Sequence, residues 1–365
     1  MTELTSRERI SRILRRQPVD RVGAFESFWG DTRSHWAEQG RVGMEESLDD
    51  HFGLDMRVQW CFSSVADLDF KEEIVEETEE TKLVRNGNGA LLRWWKNRSG
   101  TPEHVDFLVK DNATWLAHAR PHLVNPADYR RRINFEAYRQ TRDKCRAHGL
   151  FFCWGGVNVF EMMHPLCGHV NMLMGMALES DWVRDMCQVY AGLAINLMEI
   201  LFAEEGQPDG IYFYEDMGFK ERPFMSPQMY KEIIWPSHKR TFDFCRARGL
   251  PIVVHSCGFV EPLVPGLIEA GMDCLQAMEV KAGMDLVKLK KRHGDRIAFM
   301  GGLDVRTLVA NDRKAIEREL KKKLPAAMAG GGYCLHSDHS IPDQVEYETY
   351  RYFLRRGLEM GTYGP

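Results

Sequence analysis

The chain has 365 residues, 44% hydrophobic and 28% charged, with a formal net charge of −5. This length and composition exclude a disordered or low-complexity protein and suit one large α/β domain with a sizeable core. The two signs of charge are interspersed and the balance is slightly acidic, which argues against a nucleic-acid or anionic-membrane surface.

In chain order, the opening TSRERISRILRR is charged and amphipathic and lacks the apolar run of a secretory signal. It predicts a helix from Ser6 to about Arg16, stopped before Pro18. Apolar runs that suit buried parallel strands follow: VGAFES at 22–27, LFFCWGG at 150–156, GIYFYED at 210–216, PIVVHSC at 251–257, MDCLQAM at 272–278, RIAFMGG at 296–302 and GGYCLHS at 331–337. A less distinct strand near 54–61 brings the total to eight. Helical patterns at 181–204, 226–248 (with Pro236 expected to kink it), 260–270, 283–293, 312–324 and 343–360 separate the later strands. Steady alternation with eight strands predicts an α/β fold, a (β/α)8 TIM barrel spanning 1–365 as one domain, with an N-terminal helical extension. The segment 68–110 departs from the pattern. Its alternating runs flank Asn86-Gly87-Asn88-Gly89 and predict an inserted β-hairpin over one barrel mouth. The basic runs Arg130 to Arg132 and Lys321 to Lys323 are expected on solvated helix faces. No stretch reaches the roughly 18 apolar residues of a membrane span. Nine cysteines stand singly with no C-x-x-C pair, which suits a reducing cytoplasm.

In such a barrel, chemistry sits at the C-terminal ends of the strands. Those ends offer Glu26 and Trp29; Trp154 and Asn158; Tyr214, Glu215 and Asp216; His255 and Cys257; Gln276 and Glu279; Asp304; and His336, Asp338 and His339. His255 and Cys257 are two apart in extended backbone, so both side chains point the same way and can reach one ion. Alone, the pair reads better as a core histidine beside a buried, inert cysteine. The sequence His336-Ser337-Asp338-His339 offers a third donor from another strand end, through His336, Asp338 or His339, and so a three-ligand site with an open position. Cys334 lies inside its strand and is expected to pack. Glu215 and Asp216 are adjacent and cannot both face inward, so one serves as ligand or base and the other as a capping or surface group. Phe28, Trp29, Trp154 and Tyr214 are expected to line an apolar pocket. His164 and His169 read as structural or surface residues.

The segments TSRERISRILRRQPVDRVG, VVHSCG, MEVKAGMDLVKLKKRHGDRIAFMGGLD and GGGYCLHSDHSIPDQVEYETYRYF together resemble the uroporphyrinogen decarboxylase superfamily, over nearly the whole chain. The resemblance implies a TIM barrel and one of two chemistries. True uroporphyrinogen decarboxylases carry an arginine-rich loop after the first strand, to neutralise a tetrapyrrole octacarboxylate. Here that place reads Phe25-Glu26-Ser27-Phe28-Trp29-Gly30-Asp31, acidic and aromatic, with no arginine before Arg33. The other branch holds zinc-dependent methyltransferases that work with corrinoid proteins and use an H-x-C motif with a distant cysteine. His255-Ser256-Cys257 resembles the first half, and the second half places His339 where that branch has its cysteine.

The resemblance therefore implies metal ligands His255, Cys257 and His339 and catalytic acids Glu215, Asp216 and Glu279, while the strand ends offer substrate contacts from Glu26, Trp29, Trp154, Asn158, Tyr214 and Asp304. An imidazole in place of the thiolate points away from a coenzyme-thiol acceptor. It points toward a demethylase that passes a methyl group from a small methylated substrate to methylcobalamin chemistry on a separate corrinoid protein, with Zn2+ as cofactor. The chain lacks a D-x-H-x-x-G cobalamin signature of its own. A homodimer is implied by analogy alone. The alternatives are a metal-assisted decarboxylase or lyase of a small acid, with Arg222 or Lys220 facing the mouth, a uroporphyrinogen decarboxylase-like activity, or a non-catalytic scaffold.

Overall fold

The computed structural model describes residues 3–97 and 100–364. Eight parallel strands form one curled sheet: β1 (Gly23–Ala24), β2 (Met56–Trp60), β7 (Phe151–Val157), β8 (Gly210–Tyr214), β9 (Ile252–Ser256), β10 (Cys274–Ala277), β11 (Ala298–Gly301) and β12 (Tyr333–Leu335). Their order is β1-β12-β11-β10-β9-β8-β7-β2. The two end strands meet at one residue. Asp55 donates its amide to the Ala24 carbonyl at 2.8 Å and accepts the Ala24 amide on its carboxylate at 2.8 Å. The result is a TIM-like α/β fold, with helices on the outer face.

Side-chain alternation along the strands divides the molecule into two cores. The inward set includes Met56, Phe151, Cys153, Tyr212, Val253, Cys274, Ala298, Met300 and Cys334. The outward set, with Phe152, Trp154, Phe213, Val254, Leu275, Phe299 and Leu335, packs under the helices in a much larger cluster. Each such side chain taken fully out of water contributes about 1.5–3 kcal/mol. Helix Ser6–Leu14 closes the N-terminal end of the inward core with Ile10, Ile13 and Leu14. Its N-cap is Thr5, one residue before the expected start, in a reciprocal capping box with Glu8. Arg9, 3% exposed, ties it down through Asp20 at 2.7 Å and Asp55 at 2.9 Å.

Several sequence expectations change in the folded chain. The segment 68–110 is not a two-stranded hairpin. It forms a four-stranded antiparallel sheet from β3 (Glu73–Glu77), β4 (Thr81–Arg85), β5 (Leu91–Trp95) and β6 (Glu103–Asp106), with Asn86 to Gly89 turning β4 into β5. The basic runs are not uniformly solvated. Arg132 is 2% exposed and donates to the carbonyls of Ala66 and His122, while Lys323 is buried on the Gly302 carbonyl at 2.8 Å. Pro236 falls in the first turn of helix Trp235–Arg246, and the distortion lies just before it, in a π-helical turn at Tyr230–Ile234. Helix Ser180–Glu205 is long and apolar enough to cross a bilayer. Its apolar face is buried in the protein, however, with 61% of the most apolar window covered.

Candidate functional site

A cavity of about 390 Å³ opens at the C-terminal ends of the parallel strands. Strand register explains what lines it. Tyr214 of β8 pairs beside His255 of β9, and His255 pairs beside Gln276 of β10, so the three inward side chains form one level of the barrel. Two residues further along, the same inward parity delivers Asp216 and Cys257. The loops after β8 and β9 then cross backbone to backbone. Gly258 has φ 74, and a Cβ there would meet the Gly218 carbonyl carbon at 2.4 Å. Only glycine permits this crossing, which fixes where Cys257 points.

Three donor atoms converge on the wall. One each from Asp216, His255 and Cys257 lie within 4.8 Å of one another. His255 Nε2 is 3.3 Å from Asp216 Oδ1 and 3.3 Å from Cys257 Sγ. The opposite ring edge is fixed: Nδ1 meets Gln276 Oε1, which also accepts the Tyr212 hydroxyl at 2.7 Å. Nδ1 therefore donates, and Nε2 is the ring atom that faces the cluster. Tyr214 stacks on the His255 ring at 4.3 Å between centroids. Asp216 also accepts the Cys257 amide at 2.7 Å.

Electrostatics at the cluster favour a cation. Burial works against the charged form of His255, but the neighbouring Cys257, Tyr212 and Asp216 raise its proton affinity well above the usual imidazole range. Burial likewise opposes ionisation of Asp216, and the charge and hydrogen bond of His255, with the Cys257 amide, bring its pKa below the usual carboxylate value. Burial pushes the Cys257 thiol up, against the pull of His255. A divalent ion at Nε2 would replace the proton there and favour the thiolate.

The predicted site residues divide cleanly. Trp29, Tyr214, Asp216, His255, Cys257 and His339 line the cavity. His339, expected as the third ligand, lies against Trp29 with ring centroids 6.2 Å apart and is not part of the donor cluster; Asp216 stands there instead. Glu215 is not catalytic in position. It faces outward, fully buried, accepting the amides of Phe160 at 2.7 Å and Glu161 at 3.0 Å at a helix start and pairing with His238. Glu279 accepts the Gly258 amide at 2.9 Å and holds the loop after β9, outside the cavity lining. Asp304 caps helix Val305–Val309 and pairs with Arg306 at 2.7 Å. Trp154 packs outward on Phe62 and Phe213, and Phe28 packs on Trp36, Phe52 and Tyr350. Asn158 is buried at a helix start, 3.3 Å from Thr241 Oγ1. Glu26 is buried on Ser337, accepting its amide and hydroxyl at 3.0 Å each, with His336 Nε2 3.3 Å away. Burial raises Glu26 to about 8 and lowers His336 to about 4, so that pair is neutral.

Gln276, read at its strand end, lines the cavity, and sequence reasoning missed Phe25, Trp60 and Tyr212 there. Counting back in steps of two from each strand end would have found them. No lysine or arginine lines the cavity among the described residues; Lys220 and Arg222 are exposed.

The family model described as Uroporphyrinogen decarboxylase (URO-D) matches residues 117–357. No curated protein sequence matches the chain significantly. Among solved structures, a methyltransferase from Methanosarcina mazei superposes with a TM-score of 0.69 at 18% identity, covering 98% of this chain and 99% of that one. A Xaa-Pro dipeptidase with bound methionine (TM-score 0.33, 12% identity, 62% and 59% covered) and an amidohydrolase (TM-score 0.29, 10% identity, 82% of each covered) are too distant to inform the fold.

Proposed function

This chain belongs to the uroporphyrinogen decarboxylase family, and from that premise we propose that it is a metal-dependent methyltransferase, a demethylase moving a methyl group from a small methylated substrate to the cobalt of a separate corrinoid protein. The observation that carries this is the convergence of Asp216, His255 and Cys257 beside a cavity walled by aromatic side chains. The donor set of carboxylate, imidazole and thiol, with the imidazole oriented from behind by Gln276, fits a zinc-like ion with one position left toward the cavity. When bound, such an ion supplies Lewis acidity to the heteroatom that carries the methyl group. The fold shared with a methyltransferase supports the same direction.

The chain's own residues do the positioning. Phe25, Trp29, Trp60, Tyr212 and Tyr214 give the cavity walls that suit an aromatic ether or a quaternary ammonium group. Tyr214 and Gln276 hold the His255 ring in plane and tautomer. His339, on the same lining, would exchange a proton with a demethylated product. Among the described residues no lysine or arginine lines the cavity, whereas a small acid or a polycarboxylated tetrapyrrole calls for guanidinium or ammonium partners. The nine free thiols suit a reducing compartment.

The test is methyl transfer from methoxy-aromatic and methylamine compounds to cob(I)alamin, followed by the change in corrinoid absorbance. Methylcobalamin should form with the wild-type chain and fail to form with Cys257→Ser. Turnover unchanged in that variant, or carbon dioxide release in place of methyl transfer, would overturn the assignment.

A further inference from the structure

A second set of imidazoles lies outside the cavity lining, near enough for Asp216 to act on His164 and His169. His104, on β6 of the inserted sheet, meets His164 and His169 of helix Val159–Leu178, and one ring nitrogen from each lies within 4.8 Å of the others. Five residues apart on a continuous helix, His164 and His169 would point about 140° away from each other. Here the helix is broken between them: Gly168 has φ 73, and Phe107 packs so closely that a Cβ on Gly168 would meet its ring at 2.4 Å. The break brings the two rings to 4.2 Å between centroids, with His104 at 5.8 and 6.1 Å.

Two further features mark the cluster as built to bind. Glu161 Oε1 lies 2.9 Å from His164 Nε2, on side chains about 15% exposed. Nδ1 of the same ring is buried without a hydrogen-bond partner. Burial and the nearby Asp216 and Glu215 raise Glu161 to about 9, so a neutral acid stands behind one ring nitrogen while the other has no partner. Phe107 and Phe224 flank the rings at 5.4 and 5.2 Å, and burial holds His164 and His169 at about 4, in the neutral state that ligates. We propose that His104, His164 and His169 form a second divalent transition-metal site, one that staples the inserted sheet to the barrel helix. Three imidazoles suit zinc, cobalt, nickel or copper(II) over magnesium or calcium.

The experiment uses full-length chain carrying His255→Ala and Cys257→Ser, so that metal at the barrel cluster does not contribute. It is saturated with Zn2+, freed of unbound ion and analysed for zinc. About one zinc per chain is expected, falling to none when His104→Gln and His169→Gln are added, while a His118→Ala control on the exposed surface keeps it. His104→Gln alone lies on the inserted sheet rather than in the barrel, and should lose both the zinc and the zinc-induced rise in melting temperature. No zinc on the His255→Ala/Cys257→Ser chain, or zinc that survives His104→Gln and His169→Gln, overturns the proposal.

Discussion

Asp216 and Glu215 are neighbours in the chain and opposites in the fold. Asp216 faces the cavity, 3.3 Å from His255 Nε2, within a cluster whose partners leave room for an ion. Glu215 faces the helices, with two backbone amides and a histidine satisfying it completely. The same contrast holds between Tyr214 and Phe213 and between Gln276 and Leu275. One step along a strand separates residues that can do chemistry from residues that hold the barrel to its helices. A buried acid is therefore informative only together with the side of the strand it occupies.

The contrast is sharpest in activity. His255→Ala removes a donor on the inward side and should lower methyl transfer by at least ~10³-fold, the effect of losing several kcal/mol of Lewis-acid stabilisation. Its unfolding free energy in urea should stay close to wild type. Glu215→Ala should do the reverse. It strands two helix-start amides and the His238 ring without their buried partner, and should cost on the order of 3 kcal/mol in the same urea titration. If Glu215→Ala is as stable as wild type and inactive, the division between the two faces is wrong.

Gln276→Ala tests the support behind the inward cluster. With the Nδ1 partner of His255 gone, metal affinity should fall roughly 10–100-fold in a competition titration with a chelator, without loss of the fold. The smallest effect is a slope. Burial raises the Glu26 carboxyl from 4.5 to about 8. The folded chain thus keeps a proton that the unfolded chain releases. The stability this contributes is complete below about pH 4.5 and is lost as pH rises through about 8. Stability measured between these limits should fall less steeply with pH in Glu26→Gln than in wild type.

Much of this was legible before the fold was known. The parallel strands announced themselves because a sheet buried on both faces reads as nearly unbroken apolar runs, PIVVHSC and RIAFMGG among them. His255 and Cys257 were legible because alternation needs only two positions of regular strand. Beyond the strand ends the signal fades. Asp304, Glu279 and His339 lie in loops, where no period fixes direction, and only the loops' own hydrogen bonds decide which side chains reach the cavity. Trp154 and Glu215 were drawn toward the site by residue type, against the parity that Cys153 and Tyr214 already set. The turn at Asn86 to Gly89 marked one strand pair of the inserted sheet. β6 is four residues long, too short for a clear alternation. The grouping of His104 with His164 and His169 depends on the helix break at Gly168 and on contact between segments some 60 residues apart in sequence, which no local pattern carries.

The central claim is that Cys257, His255 and Asp216 hold one metal ion. Titration of the metal-free chain with Co2+ tests it most directly, because a thiolate-to-cobalt charge-transfer band in the near ultraviolet reports only an ion bound by cysteine, and the three-histidine cluster has none. The band should reach the intensity of one thiolate-bound cobalt per chain in wild type, vanish in Cys257→Ser and persist in Glu215→Gln. A wild-type chain that binds cobalt without this band, or a Cys257→Ser chain that keeps it, would contradict the account.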